Sequence, residues 1–540
     1  MKKRTVISIV LTLVIWFIMF YVELPAVNIQ NQQFWGFAAS MIVVAVIINL
    51  WPTVKYIAEN RSIYTPKELF LKFKKIIIAV FAIAVFYGAG TLLSSPILRA
   101  SAYSSLLNVE NGDFSSDIKE VNYSQIPILD KDSAAILAER KMGSMIDMVS
   151  QYEVSGNYTQ INYKGTPVRV TPLKYSSLFK WLTNRSTGIP AYIRIDMATQ
   201  DTELVKLEKG IKISDCEHFG RNLNRYLRFR YPTAMFEGNY FEIDDEGTPY
   251  WINPVMKKTI GLFGGTDIKG AVFVNAVTGE NKYYDVKDIP QWVDAVYSAR
   301  LLVNQYDYYG TLKNGYINSV LGQKGCLQTT EGYNYIALDD DVWVYTGITS
   351  VTGDESIVGF VLMNQRTKET KYYQLSGAKE YSAMASAEGQ VQNLRYNAAF
   401  PLLLNVDGKP TYFMALKDGS GLVKKYAMVN IEKYQIVAIG DAVAECEKNY
   451  RSLMNENGIE TEEKTGEEIT VSGVVEEIYD VVINGNSVRY IKLSGSDKLY
   501  GIEVKNDISS LYIKTGMNIE IKGTADESGK SVDIDEFTIE

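Results

Sequence analysis

The sequence predicts an α+β protein: three N-terminal transmembrane helices, then repeated units of one helix on a four-stranded antiparallel sheet, then a small all-β barrel. Three observations carry this expectation. The long apolar runs fall in the first hundred of 540 residues. The stretch "GAVFVNAVTGENKYYDV" (270–286) is answered 89 positions later by "GFVLMNQRTKETKYYQL" (359–375), with eight of seventeen positions identical. From residue 468 to 540 the chain reads strand by strand.

Residues 1–95 form the anchor. The runs 5–22, 34–51 and 76–93 are each 18 uncharged, mostly apolar residues, long enough to cross a bilayer. Basic residues cluster at Lys2, Lys3 and Arg4 and again from Lys55 to Lys75, and none lies in 23–33. The positive-inside rule then puts the N-terminus in the cytoplasm and everything after about residue 95 outside, a multi-pass topology. The first run also fits a signal peptide, but its bulky Trp16, Phe17 and Phe20 and the poor cleavage site "VELPA" favour an uncleaved span. None of the three spans holds Asp, Glu, Lys, Arg or His, so the lipid bilayer is the partner of an anchor, not of a transport path. Ala84 and Gly88 read as helix-packing positions.

A linker, 96–129, leads to four units: 130–208, 209–288, 289–376 and 377–456, the last with a trailing helix. Each opens on a helical stretch (130–149, 213–231, 290–306, 378–394) and continues as two hairpins. The first hairpin turns on Gly-Thr-Pro strings at 165–167 and 247–249, on Asp339-Asp340-Asp341, and on Asp407-Gly408. The second turns on "DMATQD" (196–201), "NAVTGE" (275–280), "NQRTKE" (364–369) and Asn430. An acidic linker, 457–467, precedes the barrel at 468–540, in which Gly473 marks a bend.

A helix followed by two hairpins, with a strand running into "VNAVTGE", resembles the PepSY domain, whose signature is an Asp-x-x-Thr-Gly-Glu turn. The likeness covers residues 130–440, with Asn275 standing for the Asp and the motif fading to Asn430 alone in the fourth unit. It implies an extracytoplasmic binding or regulatory role in a bacterial envelope, associated in the family with the control of peptidases. The five C-terminal strands resemble an OB-fold barrel. That region carries seven basic and fifteen acidic residues over 467–540, against the cationic groove a nucleic-acid partner needs.

Composition narrows the chemistry further. The net charge is −8, with no basic block outside the membrane-proximal segment, so no nucleic acid is expected as a partner. The three cysteines, Cys216, Cys326 and Cys446, are far apart, and His218 is the sole histidine, which nearly excludes His-based triads and His-ligated zinc. Asp339, Asp340 and Asp341, with Asp244, Asp245 and Glu246 in the equivalent place, are candidates for a calcium site or else form a solvated hairpin turn. Ser177 and Lys180 match a Ser-x-x-Lys string without its companion motifs. Cys216 and His218 are expected on a helix, where residues two apart do not share a face. The loop 261–270 is glycine-rich without a phosphate-loop ending, and is a place where a partner could be gripped. No catalytic residue and no cofactor is expected. The expected function is binding or regulation of another envelope protein, with a carboxylate-dependent wall hydrolase or a passive scaffold as alternatives; the oligomeric state is left open.

Overall fold

The computed structural model describes residues 2–60, 66–120, 126–338, 340–351, 356–459, 468–483, 486–505, 507–525 and 531–539. The chain forms two compact units, Met1–Asn457 and Gly458–Glu540. The acidic linker falls mainly outside the described residues.

The first unit begins with α1 (Lys2–Glu23), α2 (Gln32–Asn60), α3 (Pro66–Leu93) and α4 (Pro96–Ser104). Here the expectation of three spans is corrected. Among the described residues one helix is long and apolar enough to cross a membrane, Val6–Glu23. Among the described residues the apolar stretch of α2 is Gln32–Ile48 and that of α3 is Ile78–Leu93, followed by a 46° bend before α4. Only if that bent pair counts as one span are there two. The runs 34–51 and 76–93 lie inside α2 and α3, but the apolar stretches counted there among the described residues are each shorter than 18 residues and fall short of a full crossing. Tyr103, Leu107, Ile118 and Ile126 are buried, and Glu110–Asn111 adds a parallel strand to the third sheet.

Beyond α4 the unit is strand-rich. Four sheets follow one another, and the four-stranded expectation is corrected, among the described residues, to five strands, six in the third sheet. The reason lies in a long central strand in each: Thr166–Tyr175, Pro249–Ile260, Asp341–Ser350 and Lys409–Lys417. Its first half pairs with the hairpin partner and its second half outreaches that partner. A two- or three-residue strand takes the vacant edge: Tyr152–Val154, Met235–Phe236, Leu327–Thr329 or Asn397–Ala398. Strands this short carry no alternation to read.

The echoed motif is the latch of each sheet. In three copies the side-chain Oδ1 of Asp196, Asn275 or Asn364 accepts the N–H groups two and three residues on, at 2.8–3.0 Å. The hydroxyl of Thr199, Thr278 or Thr367 then accepts the N–H two residues later. The intervening residue needs a left-handed backbone: Gln200 at φ 67°, Gly279 at 78°, Lys368 at 70°. The residue after each Asp or Asn, and Ile431 in the fourth copy, bridges two segments. Its N–H donates near the start of the central strand, to Pro167, Pro249, Val342 or Pro410. Its carbonyl accepts from the incoming chain, from Ile128, Ile213, Tyr297 or Ala378. The echo is scaffold.

That latch also explains two shortened helices. Residues 213–222 are held extended or in turns against the sheet, so the helix there is Leu223–Arg230; residues 290–298 behave likewise, ahead of Ala299–Leu312. Helix Ala299–Leu312 buries Leu302 and Tyr306 in a core shared by the second and third sheets, with Ile252, Phe273, Val344 and Met363. The fourth sheet is braced by Val443–Glu456, whose Tyr450 hydroxyl lies 3.0 Å from Thr411 Oγ1 and accepts from Asn430 Nδ2 at 3.2 Å.

The second unit is a closed barrel. Its strands lie in the order Glu468–Ile483, Asn486–Leu493, Leu499–Glu503, Ser531–Ile539, Asn518–Ala525. The first strand pairs with 518–524 up to Val474 and with 486–493 from Val475, which closes the sheet on a core of Val475, Ile491, Tyr500, Ile519 and Ile521.

Candidate functional site

A concave feature of the first unit lies where the sheets meet the ends of the N-terminal helices. The turn after α1 is fixed by Val27 N–H donating to Pro232 O (2.8 Å) and by Arg228 Nε donating to Leu24 O (2.9 Å). The end of α3 is gripped by the glycine-rich hairpin tip: Ser94 Oγ accepts from Leu262 N (2.8 Å) and Phe263 N (3.0 Å). Gly261, at φ 60°, has no room for a Cβ, which would come within 2.5 Å of Ser94 Oγ. The loop marked as a possible partner grip thus grips its own chain.

Between that tip, α4 and helix Ala299–Leu312 lies a cleft of about 410 Å³, lined among others by Tyr103, Glu237, Thr266, Arg300, Gln305 and Tyr308. Ser298 caps the helix, accepting Leu301 N–H at 3.1 Å, and its hydroxyl donates to Glu237 Oε1. Gln305, 1% exposed, donates from Nε2 to Thr266 O at 2.7 Å. Glu237 Oε2 and Gln305 Oε1 are enclosed acceptors with no hydrogen-bond partner among the described residues, a costly state unless a ligand or water supplies a donor. Burial pushes the Glu237 carboxyl up, and the Ser298 hydrogen bonds oppose this. Glu237 also borders an adjoining cavity of about 350 Å³ with Asn31, Arg228 and Lys258. Burial lowers the Lys258 ammonium, which donates to Thr266 Oγ1 at 2.7 Å. One carboxylate, cations on the rim and amide groups between them suit a polar or zwitterionic group.

A second set of acids sits deeper. Asp294, 1% exposed, accepts Asn162 N–H (2.7 Å) from the first sheet and Val342 N–H (3.1 Å) from the third. Its own N–H and that of Ala295 donate to Glu242 of the second sheet at 3.0 and 2.8 Å. Burial raises both carboxyls, Glu242 to about 7, and the charge of Glu242 adds to the rise at Asp294. These acids pin three sheets through backbone amides.

The residues singled out in the sequence are dispersed. Asp339 lies outside the described residues. Asp340 is exposed on a left-handed turn at φ 66°, and Asp341 is buried, with both oxygens held by Arg366 at 2.6 and 2.8 Å. Among the described residues no three His, Cys, Asp or Glu side chains group to hold a metal ion. Asp244 Oδ1 accepts Glu246 N and Thr248 N within its own turn. Ser177 is a helix N-cap for Lys180 N–H. Cys216 and His218 are not on a helix, and His218 packs edge-on to Trp181 with ring centres 4.6 Å apart.

Two features escaped the sequence reading. Glu237 and Gln305 are 68 positions apart in the chain and are joined only by the fold. The arginines Arg221, Arg225, Arg228 and Arg230, by contrast, were open to view as four cations in ten residues with no acid among them, which corrects the statement that no basic block lies beyond the membrane-proximal segment.

No protein-family model matches the chain, and no curated protein matches it. Among solved structures the chain is similar to a levansucrase variant of B. megaterium at 8% identity, with a TM-score of 0.18, over 78% of this chain and 98% of that one. A likeness at that TM-score carries no argument about fold or function.

Proposed function

We propose that this chain is a membrane-anchored protein of a bacterial envelope, with α1 as anchor, its N-terminus cytoplasmic and its four sheets outside, and that it binds and regulates another envelope component through the cleft at Glu237 and Gln305. The observation that carries the reading is the position of that cleft. It opens beside the turn that leaves α3, its adjoining cavity borders the turn that leaves α1, and it holds two buried acceptors unsatisfied among the described residues. The basic start at Lys2, Lys3 and Arg4 supports the orientation. The latch on an Asp/Asn-x-x-Thr turn in three of the four sheets supports the resemblance to PepSY units, and the barrel's strand order supports the resemblance to OB-folds. The wall-hydrolase alternative draws no support from Glu242 and Asp294, whose oxygens are occupied by backbone amides.

A photo-cross-linking residue at Asn304, which lines the cleft, tests the reading in intact cells. The expected result is saturable capture of one envelope protein from position 304 and none from Tyr434, an exposed residue next to the fourth sheet. Identical adducts from both positions, or none from either, would contradict it.

A further inference from the structure

The arginine-rich segment does not stand alone. Helix Leu178–Asn184 packs beside it: Trp181 lies 6.0 Å from Phe219 between ring centres, and Arg221 donates to Arg185 O. Together they expose an apolar surface of Leu178 (56%), Phe179 (77%), Leu182 (48%), Phe219 (64%) and Phe229 (48%). Phe219 is held at φ 52°, a costly conformation for a bulky residue, with its ring outward and its carbonyl accepting from Arg225 Nη1 at 3.1 Å. Apolar side chains so exposed need an apolar neighbour.

What that neighbour is follows from what adjoins the patch. Phe229 packs on Phe20 and Tyr21 of α1, with ring centres 5.8 and 6.2 Å apart, and the Arg225 guanidinium lies 4.1 Å over the Tyr21 ring. The patch is therefore continuous with the last turn of the membrane-crossing helix. Its charge points the same way. Lys180, Arg185, Arg221, Arg225, Arg228 and Arg230 make no ion pair with a carboxylate among the described residues; the arginines stack on rings or donate to carbonyls instead. Apolar and aromatic side chains ringed by unpaired arginines at a helix exit match the interface of a bilayer with anionic headgroups.

We propose that helix Leu178–Asn184 and the segment Phe219–Arg230 form a second, peripheral membrane contact. Leu178, Phe179, Leu182 and Phe219 enter the interface of the bilayer that α1 crosses, and Lys180, Arg185 and Arg221 meet lipid phosphates. The inference rests on the anchoring reading. A body held at two points cannot swing freely about the α1 exit, so the cleft at Glu237 stays at a fixed height above the lipid.

The test uses the full chain in vesicles of phosphatidylcholine and phosphatidylglycerol, with a photoactivatable phenylalanine analogue at position 179, at position 17 within the span, or at position 434. Lipid adducts are expected at 17 and 179 and not at 434. In vesicles of phosphatidylcholine alone the yield at 179 should fall about fivefold for each basic side chain that engages a headgroup, while the yield at 17 holds. Adducts at 17 without adducts at 179 would overturn this proposal and leave the anchor standing. The absence of adducts at both would overturn the anchor and this proposal with it. An equal yield at 179 in both vesicle types would overturn the role of the basic residues.

Discussion

Replacing Glu242 with glutamine is expected to change how stability depends on pH. Glu242 is fully buried beside Asp294, and burial lifts its carboxyl from the ordinary 4.5 to about 7 in the folded chain, against the pull of two backbone N–H groups. A group whose folded pKa lies above its unfolded one favours folding when protonated. Its contribution is complete below pH 4.5 and is lost as pH rises towards 7. At about 1.4 kcal/mol per pH unit over that interval, the wild-type chain gives up roughly 3 kcal/mol. Glutamine keeps an acceptor for Asp294 N or Ala295 N and has no proton to release. The assay is urea unfolding of the detergent-solubilised full chain at pH 5 and pH 7.5, read as the difference between wild type and E242Q, which cancels the titrating groups that do not interact with Glu242 and so reports the Glu242–Asp294 pair. That difference should fall by roughly 2–3 kcal/mol from the lower to the higher pH. A difference constant within about 0.5 kcal/mol would refute the buried-pair account.

Four further outcomes follow from the packing. Asn364→Ala removes the acceptor of Arg366 N and Thr367 N and a donor to Asp341 from a site 1% exposed, and should cost about 3 kcal/mol in chemical unfolding, against about 1 for Thr278→Ala on its exposed turn. Gln200→Gly should stabilise by about 0.5–1 kcal/mol in the same assay, because Gln200 sits at φ 67°. Arg451→Met strands Asp407 and Glu447, 9% and 14% exposed, without their cation, and should cost about 3–5 kcal/mol. Ser94→Ala should speed hydrogen exchange at Leu262 and Phe263 about tenfold or more, read by mass spectrometry on the chain in nanodiscs.

What the sequence disclosed and what it hid divide along a physical line. Turns built by a side chain bonding its own backbone were legible, because Asn275, Thr278 and their counterparts act within five residues. Features set by distant contacts were not. The carbonyl of Ala276 holds Lys212 and Ile213 to the sheet ahead of the turns that lead to Leu223, and the edge strand Met235–Phe236 exists because a twelve-residue strand has a vacant flank. Three apolar runs announced three spans, whereas one described helix passes as a span, and the contact of Ser94 with a hairpin tip some 170 residues away leaves no mark in a hydropathy window. The cleft residues Glu237 and Gln305 gave no signal at all, since neither belongs to a motif. The arginines at 221–230 gave one that was passed over, because a helix of alternating arginines and aromatics does not look like a basic run.

The central claim is that the four-sheet body stands outside the membrane that α1 crosses. A cysteine placed at Tyr434, in a chain whose three native cysteines are replaced by serine, reads this directly through a membrane-impermeant maleimide applied to intact cells. The account predicts full labelling before the cells are permeabilised. Labelling that appears only after permeabilisation would contradict it.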